Sequence, residues 1–420
     1  MTEYSTETDF KPGALRDQFR FPVGPGGEDC LYLCGNSLGL QPVNTADAVT
    51  AELERWARLA VAGHFDSPLG WMDMHKPIAE SLAPIVGGDP VEIVVMNALT
   101  VNLHLMMASF YRPQAERRRI LIERGAFPSD RHAVVSQLEL HGFDSNADLV
   151  ELAPRRDGLL HEEDLEDYLE RYGDQTALVL WPGVQYATGQ VFDMERVSRA
   201  CQRAGVTLGL DLAHAVGNVP LALNDWGADF AVWCSYKYLN GGPGSVAGCF
   251  IHKRHLDKDL PRMAGWWGHE QSSRMKMAPE FTPARGAEGW QISNLPILTL
   301  ATLQPSLALF DKVGMDNLRS ASLEMTGHLA TKINDELGDR LEIITPLEPH
   351  RRGCQLSIRV RDGQGNNKGR LLFERLEAHG IIGDWREPDI IRVAPAPLYN
   401  SIEDCDRLVA DISRLFPNDD

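Results

Sequence analysis

The pattern of apolar and polar residues divides the chain into two regions of different character. Between residues 118 and 253, short continuous apolar runs alternate with charged segments whose apolar residues recur at helical spacing. Continuous apolar runs are typical of strands buried on both faces, so this region predicts a mostly parallel sheet covered by helices, an α/β fold. The predicted strands are RRILIE, ADLVELAP, TALVLWPG, VTLGLDLAH, ADFAVWCS and SVAGCFIH, and the predicted helices are HEEDLEDYLERYG and MERVSRACQRAG.

The C-terminal part of the chain predicts helices alternating with strands, and one of these strands has a solvated face. An apolar stripe from Met325 to Leu337 predicts a long helix, and QLSIRV alternates like a strand with one solvated face. RLLFERLEAHG, IIRVA and EDCDRLVADISRLF then predict a helix, a strand and a helix. We therefore expect a small α+β domain over residues 306–420, a large α/β domain over 46–305, and an N-terminal segment, 1–45, that packs with the small domain.

Composition narrows the classes of function. The 420 residues carry a net charge of −18, which argues against nucleic acid as a partner. No apolar run reaches the roughly 20 residues of a membrane span, and the N-terminus lacks the pattern of a signal peptide. The seven cysteines form no CxxC pair, which indicates reduced thiols in a cytoplasmic protein rather than disulfides or a metal site. The polar first residues and the segment RDGQGNNKG are expected to be loosely held.

Reactive side chains follow several of the predicted strands. Asp211 ends VTLGLD, His214 lies three residues later, and Lys237 follows DFAVWCS. Asp130 comes just after the strand RRILIE. Because ligands of open α/β sheets bind at the carboxyl ends of strands, these side chains are candidates for one site. Each of them, taken alone, could equally be an ordinary loop residue.

Lys237 points to Schiff-base chemistry. A lysine at the mouth of a sheet can lose its proton through desolvation, and a neutral lysine is a nucleophile towards carbonyl carbon. Pyridoxal phosphate needs such a lysine, a carboxylate near its ring nitrogen, an aromatic face against its ring, and N–H groups for its phosphate. Asp211, Phe127 and Thr100 offer these groups. Capping by Asp211 and Thr100, and core packing by Phe127, are the structural alternatives.

Several short segments between Leu31 and Ser401 carry a resemblance to a known family. They are LCGNSLGLQP, MNALTVNLH, AFPSD, GVQYATGQ, DLAHAVGNVPLALNDWGADFAVWCSYKYLNGGPGS, GWWGHE, QISNLPIL and DWREPDIIRVAPAPLYNS. In this order they resemble the sequence blocks of kynureninases, which belong to the fold type I, or aspartate-aminotransferase, superfamily of pyridoxal phosphate enzymes. The resemblance implies this fold, this cofactor and a homodimer.

The resemblance also implies roles for individual residues. Lys237 would hold the cofactor as a Schiff base, Asp211 would pair with its ring nitrogen, and Tyr236 would be the third catalytic residue. Further cofactor contacts would come from Leu99, Thr100, Phe127, Pro128, Ser129, Asp130, His214, Tyr236, Trp266 and Asn294. Trp266 and Asn294 would reach the site from a partner subunit. Substrate contacts would come from Ser37, His64, Asn294 and Arg392.

Arg392 would bind the substrate α-carboxylate in a two-pronged contact, which suits guanidinium geometry. One position departs from the family pattern: Pro182 stands where relatives can present a small hydroxyl residue.

The implied reaction is hydrolytic cleavage of the Cβ–Cγ bond of L-kynurenine or L-3-hydroxykynurenine, giving L-alanine and an anthranilate, in tryptophan degradation and NAD biosynthesis. Lys237 would remove the α-proton, and Tyr236 would serve later proton transfers. His64 and Asn294 match positions that face the substrate ring and could hydrogen-bond a 3-hydroxyl group, so we expect 3-hydroxykynurenine to be preferred. The alternative is that His64 packs under a loop and Asn294 caps a turn.

Two other functions remain open from the sequence. A cysteine desulfurase or a class V aminotransferase would share this fold. A desulfurase needs a reactive cysteine on a mobile loop, whereas Cys234 and Cys249 lie in predicted strands. A catalytically inactive binding protein is the other alternative, because fold does not fix function. Loss of activity would be expected to remove Lys237 or Asp211, and the sequence has both.

Overall fold

The apolar runs of the sequence form strands, and the segments between them form helices. The structure, a computed structural model, describes residues 10–361 and 367–417, so the first residues and most of the loop predicted in RDGQGNNKG lie outside it. The described strands are β1 (Phe19–Arg20), β2 (Leu31–Tyr32), β3 (Gln41–Pro42), β4 (Ile93–Val95), β5 (Arg119–Glu123), β6 (Leu149–Leu152), β7 (Thr176–Pro182), β8 (Thr207–Asp211), β9 (Phe230–Trp233), β10 (Gly248–Ile251), β11 (Leu341–Ile343), β12 (Leu356–Val360), β13 (Ile381–Ile382), β14 (Asp384–Arg386) and β15 (Ile390–Val393). The described α-helices are α1 (Thr45–Leu59), α2 (His75–Val86), α3 (Leu99–Phe110), α4 (Pro128–Leu140), α5 (Ser145–Asp148), α6 (Glu162–Tyr172), α7 (Met194–Ala204), α8 (Leu223–Trp226), α9 (Gln271–Arg274), α10 (Ile297–Val313), α11 (Met315–Leu337), α12 (Lys368–Ala378) and α13 (Ile402–Leu415).

Seven strands form a large sheet in the order β4–β10–β9–β8–β7–β5–β6. β10 runs antiparallel to both of its neighbours, and the other pairs are parallel. The mostly parallel sheet predicted from the sequence is therefore confirmed. Since β4, β5, β7, β8 and β9 run in one direction, their carboxyl ends meet at one edge of the sheet.

The strands of the large sheet are apolar throughout because both faces are covered. All seven residues of β7 are buried. Leu178 and Leu180 face a core shared with α3 and α4, whereas Val179 and Trp181 face the core on the opposite side. A strand exposed on one face would alternate polar and apolar residues, and the sequence of β7 does not.

The helix α7 shows how nearby residues determine where a helix begins, which face it buries and where it ends. Asp193 accepts a hydrogen bond from Arg196 N at 2.9 Å and so caps the start of the helix. Met194, Val197 and Cys201 lie at helical spacing and are buried against the large sheet. The helix ends at Gly205, whose φ of 61° is left-handed and favours glycine. The periodicity and both caps can be read from the sequence.

A second, four-stranded sheet forms in the C-terminal part of the chain. Its order is β11–β12–β15–β14, with every pair antiparallel. Its core is shared with α11, α12 and α13, and Leu31 and Leu33 from the N-terminal segment join that core. β2 also pairs with β13 in parallel. The exact domain bounds predicted from the sequence stay a prediction. Among the described helices, none is both long and apolar enough to cross a membrane.

Candidate active site

The carboxyl ends of the parallel strands meet at one cavity. Eleven residues singled out in the sequence line it: Ser37, Leu99, Thr100, Phe127, Ser129, Asp130, Pro182, Asp211, His214, Tyr236 and Lys237. They lie at the ends of β7 and β8, in the loops after β5, β8 and β9, and in the first turns of α3 and α4, together with Ser37 from the loop after β2. Because parallel strands end at the same edge, residues far apart in the chain come close together in space.

Lys237 lies at the centre of this cavity. Its Nζ is 2.9 Å from His214 Nε2 and 5.9 Å from the centroid of the Phe127 ring. Burial, and then the charge of Lys237, hold the pKa of His214 well below its usual range, so the imidazole is neutral. A neutral Nε2 can accept a hydrogen bond from the lysine, which leaves His214 Nδ1 buried without a partner among the described residues.

The N-terminal segment packs directly onto the backbone of the lysine loop. Gly39 N donates to Tyr236 O at 2.8 Å, and Asn240 N donates to Lys237 O at 2.9 Å. A Cβ atom at Gly39 would lie 2.4 Å from Lys237 O and 2.3 Å from Asn240 Oδ1. Gly39 therefore has a steric role: its lack of a side chain allows GNSLG to support the loop that carries Lys237.

Three carboxyl groups, those of Glu123, Asp130 and Asp211, line the same cavity as Lys237. Asp211 ends β8, and its Oδ1 accepts a hydrogen bond from Ala213 N at 2.7 Å. Burial raises the pKa of Asp130 well above its usual range, and the neighbouring Asp211 carboxylate, within hydrogen-bonding reach, raises that pKa further. Burial also raises the pKa of Glu123 to about 8. Burial therefore favours the protonated forms of Asp130 and Glu123.

These residues fit pyridoxal phosphate. Asp211 offers the carboxylate for a ring N–H, Phe127 and His214 offer aromatic faces, and Lys237 offers the amine. Leu99 and Thr100 open α3, whose first N–H groups have no partner inside the helix and suit a phosphate. The unpartnered buried atoms His214 Nδ1 and Asp130 Oδ1 also indicate a site built for a polar ligand.

Arg392 lies next to the cavity without lining it. The side chain is fully buried, and it donates from Nη1 to Tyr186 O at 2.7 Å and from Nη2 to Asp384 Oδ2 at 2.6 Å. The arginine that lines the cavity, beside Lys237, is Arg386. The contact of Arg392 with a substrate carboxylate stays a prediction.

Three other residues predicted for the active site lie elsewhere in the structure. His64 and Asn294 line a second, largely apolar cavity with Trp56, Trp71 and Trp267. Trp266 is exposed, and its ring packs edge-on against Trp267. Within a single chain, the structure does not bring them into the cavity that contains Lys237. Pro128, the first residue of α4, is likewise absent from the lining of that cavity.

The cavity also contains residues that sequence reasoning missed: Asn36, Glu123, Tyr186 and Arg386. Glu123 carried a signal, because it is a charged residue at the end of an apolar strand. Asn36 directly precedes the predicted Ser37. Tyr186 and Arg386 lie within the segments GVQYATGQ and DWREPDIIRVAPAPLYNS, but their place in the cavity depends on how the small sheet meets the loop after β7.

A family profile and two sequence relatives place this chain among the kynureninases. A sequence profile described as the kynureninase C-terminal domain matches residues 318–412. Kynureninase from Xanthomonas campestris pv. campestris (strain B100) is 55% identical over 400 residues, which covers 95% of this chain and 94% of the relative. Kynureninase from Xanthomonas axonopodis pv. citri (strain 306) is also 55% identical, over 399 residues, with the same coverage of both chains.

Solved structures share the fold at low sequence identity. A C-DES variant with glycine covalently linked to its PLP cofactor aligns with a TM-score of 0.77 and 19% identity, covering 95% of this chain and 99% of that one. The apo cysteine desulfurase from Thermococcus onnurineus NA1 aligns with a TM-score of 0.78 and 15% identity, covering 97% and 98%. At these identities the likeness concerns the fold alone.

Proposed function

Because the chain belongs to the kynureninase family, we propose that it hydrolyses the Cβ–Cγ bond of L-kynurenine to give L-alanine and anthranilate. It is a hydrolase of carbon–carbon bonds, and its cofactor is pyridoxal phosphate. The observation that carries the proposal is the contact of Lys237 with His214, 2.9 Å apart, in a cavity that also contains Asp211.

The residues of the cavity suit the steps of this reaction. Pyridoxal phosphate supplies the carbonyl that binds the substrate amine and a ring that stores electrons. Lys237 Nζ would remove the α-proton, and the neutral His214 would accept a hydrogen bond from that amine. Asp211 would hold the protonated ring nitrogen of the cofactor. Water adds to the side-chain carbonyl carbon Cγ, which departs as the carboxyl group of anthranilate, and Tyr236, whose phenol pKa is raised by burial, keeps its proton for donation to Cβ.

The proposal is tested with the purified protein and its Lys237→Ala variant. We expect borohydride to bleach the cofactor absorbance and fix it on the peptide that contains Lys237. L-kynurenine should be converted to anthranilate and L-alanine in equal amounts, and the variant should do neither. Release of pyruvate with no anthranilate would contradict the proposal and indicate an aminotransferase.

The cysteines argue against a desulfurase, although solved desulfurases share the fold. All seven cysteines are unpaired and buried in the part of the chain that the structure describes. Burial raises the pKa of each thiol, for example that of Cys354 to about 11. A nucleophilic cysteine needs a lowered pKa and access to substrate, and none of these has either.

We further propose that L-3-hydroxykynurenine is preferred over L-kynurenine, in tryptophan degradation and NAD biosynthesis. His64 and Asn294 line one cavity and can both hydrogen-bond a ring hydroxyl. Loss of that partner would leave a polar group unpaired at a cost of about 1–3 kcal/mol. This corresponds to a preference of roughly tenfold to hundredfold.

The working unit proposed here is a homodimer in the cytoplasm. His64, Asn294 and Trp266 cluster away from Lys237, so they reach a site only if they complete the one in a second copy. Apolar side chains around them are exposed, with Trp56 at 61% and Phe65 at 66%. An exposed apolar surface of this kind is typical of an interface. Unpaired cysteines suit a reducing compartment.

A further inference from the structure

The small sheet presents a charged row towards the active-site cavity. Asp384 on β14 is the direct cross-strand partner of Arg392 on β15. Because side chains alternate along a strand, Arg386 shares the face of Asp384, whereas Trp385 points the other way and packs on Phe373. Two arginines and one aspartate are thus placed on one face by strand register alone.

One carboxylate oxygen serves both arginines. Asp384 Oδ2 accepts from Arg392 Nη2 at 2.6 Å and from Arg386 Nη2 at 3.0 Å. Neither arginine forms an ion pair with another carboxylate among the described residues. The nearby Cys34 adds no charge, because burial raises the pKa of its thiol to about 12. The cluster therefore has a net charge of about +1 in a largely buried setting.

The cluster also has hydrogen-bond donors to spare. Nε of Arg386 and Nε of Arg392 are both buried without a hydrogen-bond partner among the described residues. Buried polar groups in folded proteins are nearly always paired, so two orphaned donors in one charged cluster point to a missing acceptor. An anion would satisfy both the donors and the net charge.

The two arginines differ in their access to the cavity. Arg392 is fully buried, and its Nη1 is engaged by Tyr186 O. Arg386 is partly exposed, with 34% of its side chain accessible, and lines the cavity with Lys237. An anion that enters from the side of Lys237 therefore meets Arg386 first.

We propose that Arg386 binds the substrate α-carboxylate together with Arg392, and that Asp384 is the internal carboxylate the two arginines share while the pocket is empty. The substrate anion supplies the charge that the cluster lacks, and Asp384 then gives up part of its contact with Arg386. The inference rests on the proposed function for the identity of the substrate, but not for the existence of the anion site.

The first experiment separates the carboxylate from the rest of the ligand. Holoenzyme is titrated with L-alanine and with L-alaninamide, and binding is followed by the change in cofactor absorbance. We expect Arg386→Gln to weaken L-alanine binding at least tenfold and to leave L-alaninamide unchanged, with partial recovery in Arg386→Lys. Arg414→Gln, which removes an exposed arginine paired with Asp411 on α13, is the matched control and should behave as wild type. Equal affinity of wild type and Arg386→Gln for L-alanine would overturn the proposal.

The second experiment tests Asp384. If Asp384 competes with the substrate carboxylate, Asp384→Asn keeps the shape, removes the competing charge and tightens L-alanine binding by about threefold or more. If Asp384 only braces the arginines, the same variant weakens L-alanine binding, and the shared-carboxylate part of the proposal is wrong. Melting temperatures of all variants establish that they fold.

The same measurements distinguish failure of the proposed function from failure of the proposed anion site. If the protein distinguishes L-alanine from L-alaninamide through Arg386 but does not cleave kynurenine, the anion site is correct and the proposed reaction is wrong. If wild type and Arg386→Gln cleave kynurenine with the same Michaelis constant, the proposed reaction is correct and the anion site is wrong.

Discussion

At the scale of single residues, Asp211 is the proposed partner of the cofactor's ring nitrogen. Its Oδ1 accepts a hydrogen bond from Ala213 N, and it lies beside Asp130, whose pKa is raised by burial. Asp211→Asn keeps the shape but cannot hold a proton on the cofactor ring, so we expect turnover to fall by at least about a hundredfold. Cofactor content and melting temperature should stay close to wild type. Near-normal turnover with full cofactor content would show that Asp211 has no such role.

We expect Glu123 to make the stability of the protein depend on pH. Its pKa in the folded state is about 8, above that of an unfolded glutamate, and burial is the main cause. Between the two values the folded state binds more protons, so stability is full at low pH and falls as pH rises towards 8. Glu123→Gln has no carboxyl group to ionise at this position, so it should not lose stability in this way.

We expect the melting temperature to drop between about pH 5 and pH 8 by a few degrees more in wild type than in Glu123→Gln. Glu139→Gln, at an exposed position on α4, serves as the control and should follow wild type. Parallel profiles for wild type and Glu123→Gln would mean that Glu123 is ionised in the folded protein.

At the scale of elements, the second cavity is formed by the turn after α1 and the start of α10. His64 packs edge-on against Trp71 with ring centroids 5.3 Å apart, and Asn294 lies just before Ile297. His64→Trp combined with Asn294→Thr replaces both candidate partners of a 3-hydroxyl group, the imidazole by a bulkier indole and the amide by a shorter hydroxyl side chain. We expect the ratio of kcat/KM for L-3-hydroxykynurenine to that for L-kynurenine to fall by about tenfold or more. An unchanged ratio would assign both residues a packing role.

At the scale of the whole molecule, the exposed apolar surface around Trp56 predicts the quaternary state. Trp56→Asp places a charge on this surface and should yield a monomer in light scattering, with loss of activity because each site would lack its partner's residues. Leu140→Asp alters an equally apolar, 78% exposed position on α4 and should leave the dimer intact. A wild-type monomer that is active at assay concentration would contradict the proposed homodimer.

Much of the fold could be predicted because its determinants are local. The continuous apolar runs of β5, β7, β8 and β9, and the periodicity and caps of α7, each depend on residues within a few positions of one another. The grouping of Asp211 and Lys237 followed from the rule that parallel strands end at one edge. Their shared cavity could therefore be predicted without knowledge of side-chain packing.

By itself the sequence determined the α/β class, the family and the residues at the strand ends, since strand type and strand ends are encoded in short segments. Only the tertiary structure decided which segments meet. The register of β14 against β15 places Arg386 and Asp384 beside Arg392, and the packing of the small sheet brings Tyr186 O to the same guanidinium. The structure alone also separated His64 and Asn294 from Lys237. These are contacts between residues distant in the chain, which depend on the packing of whole sheets and not on any local pattern.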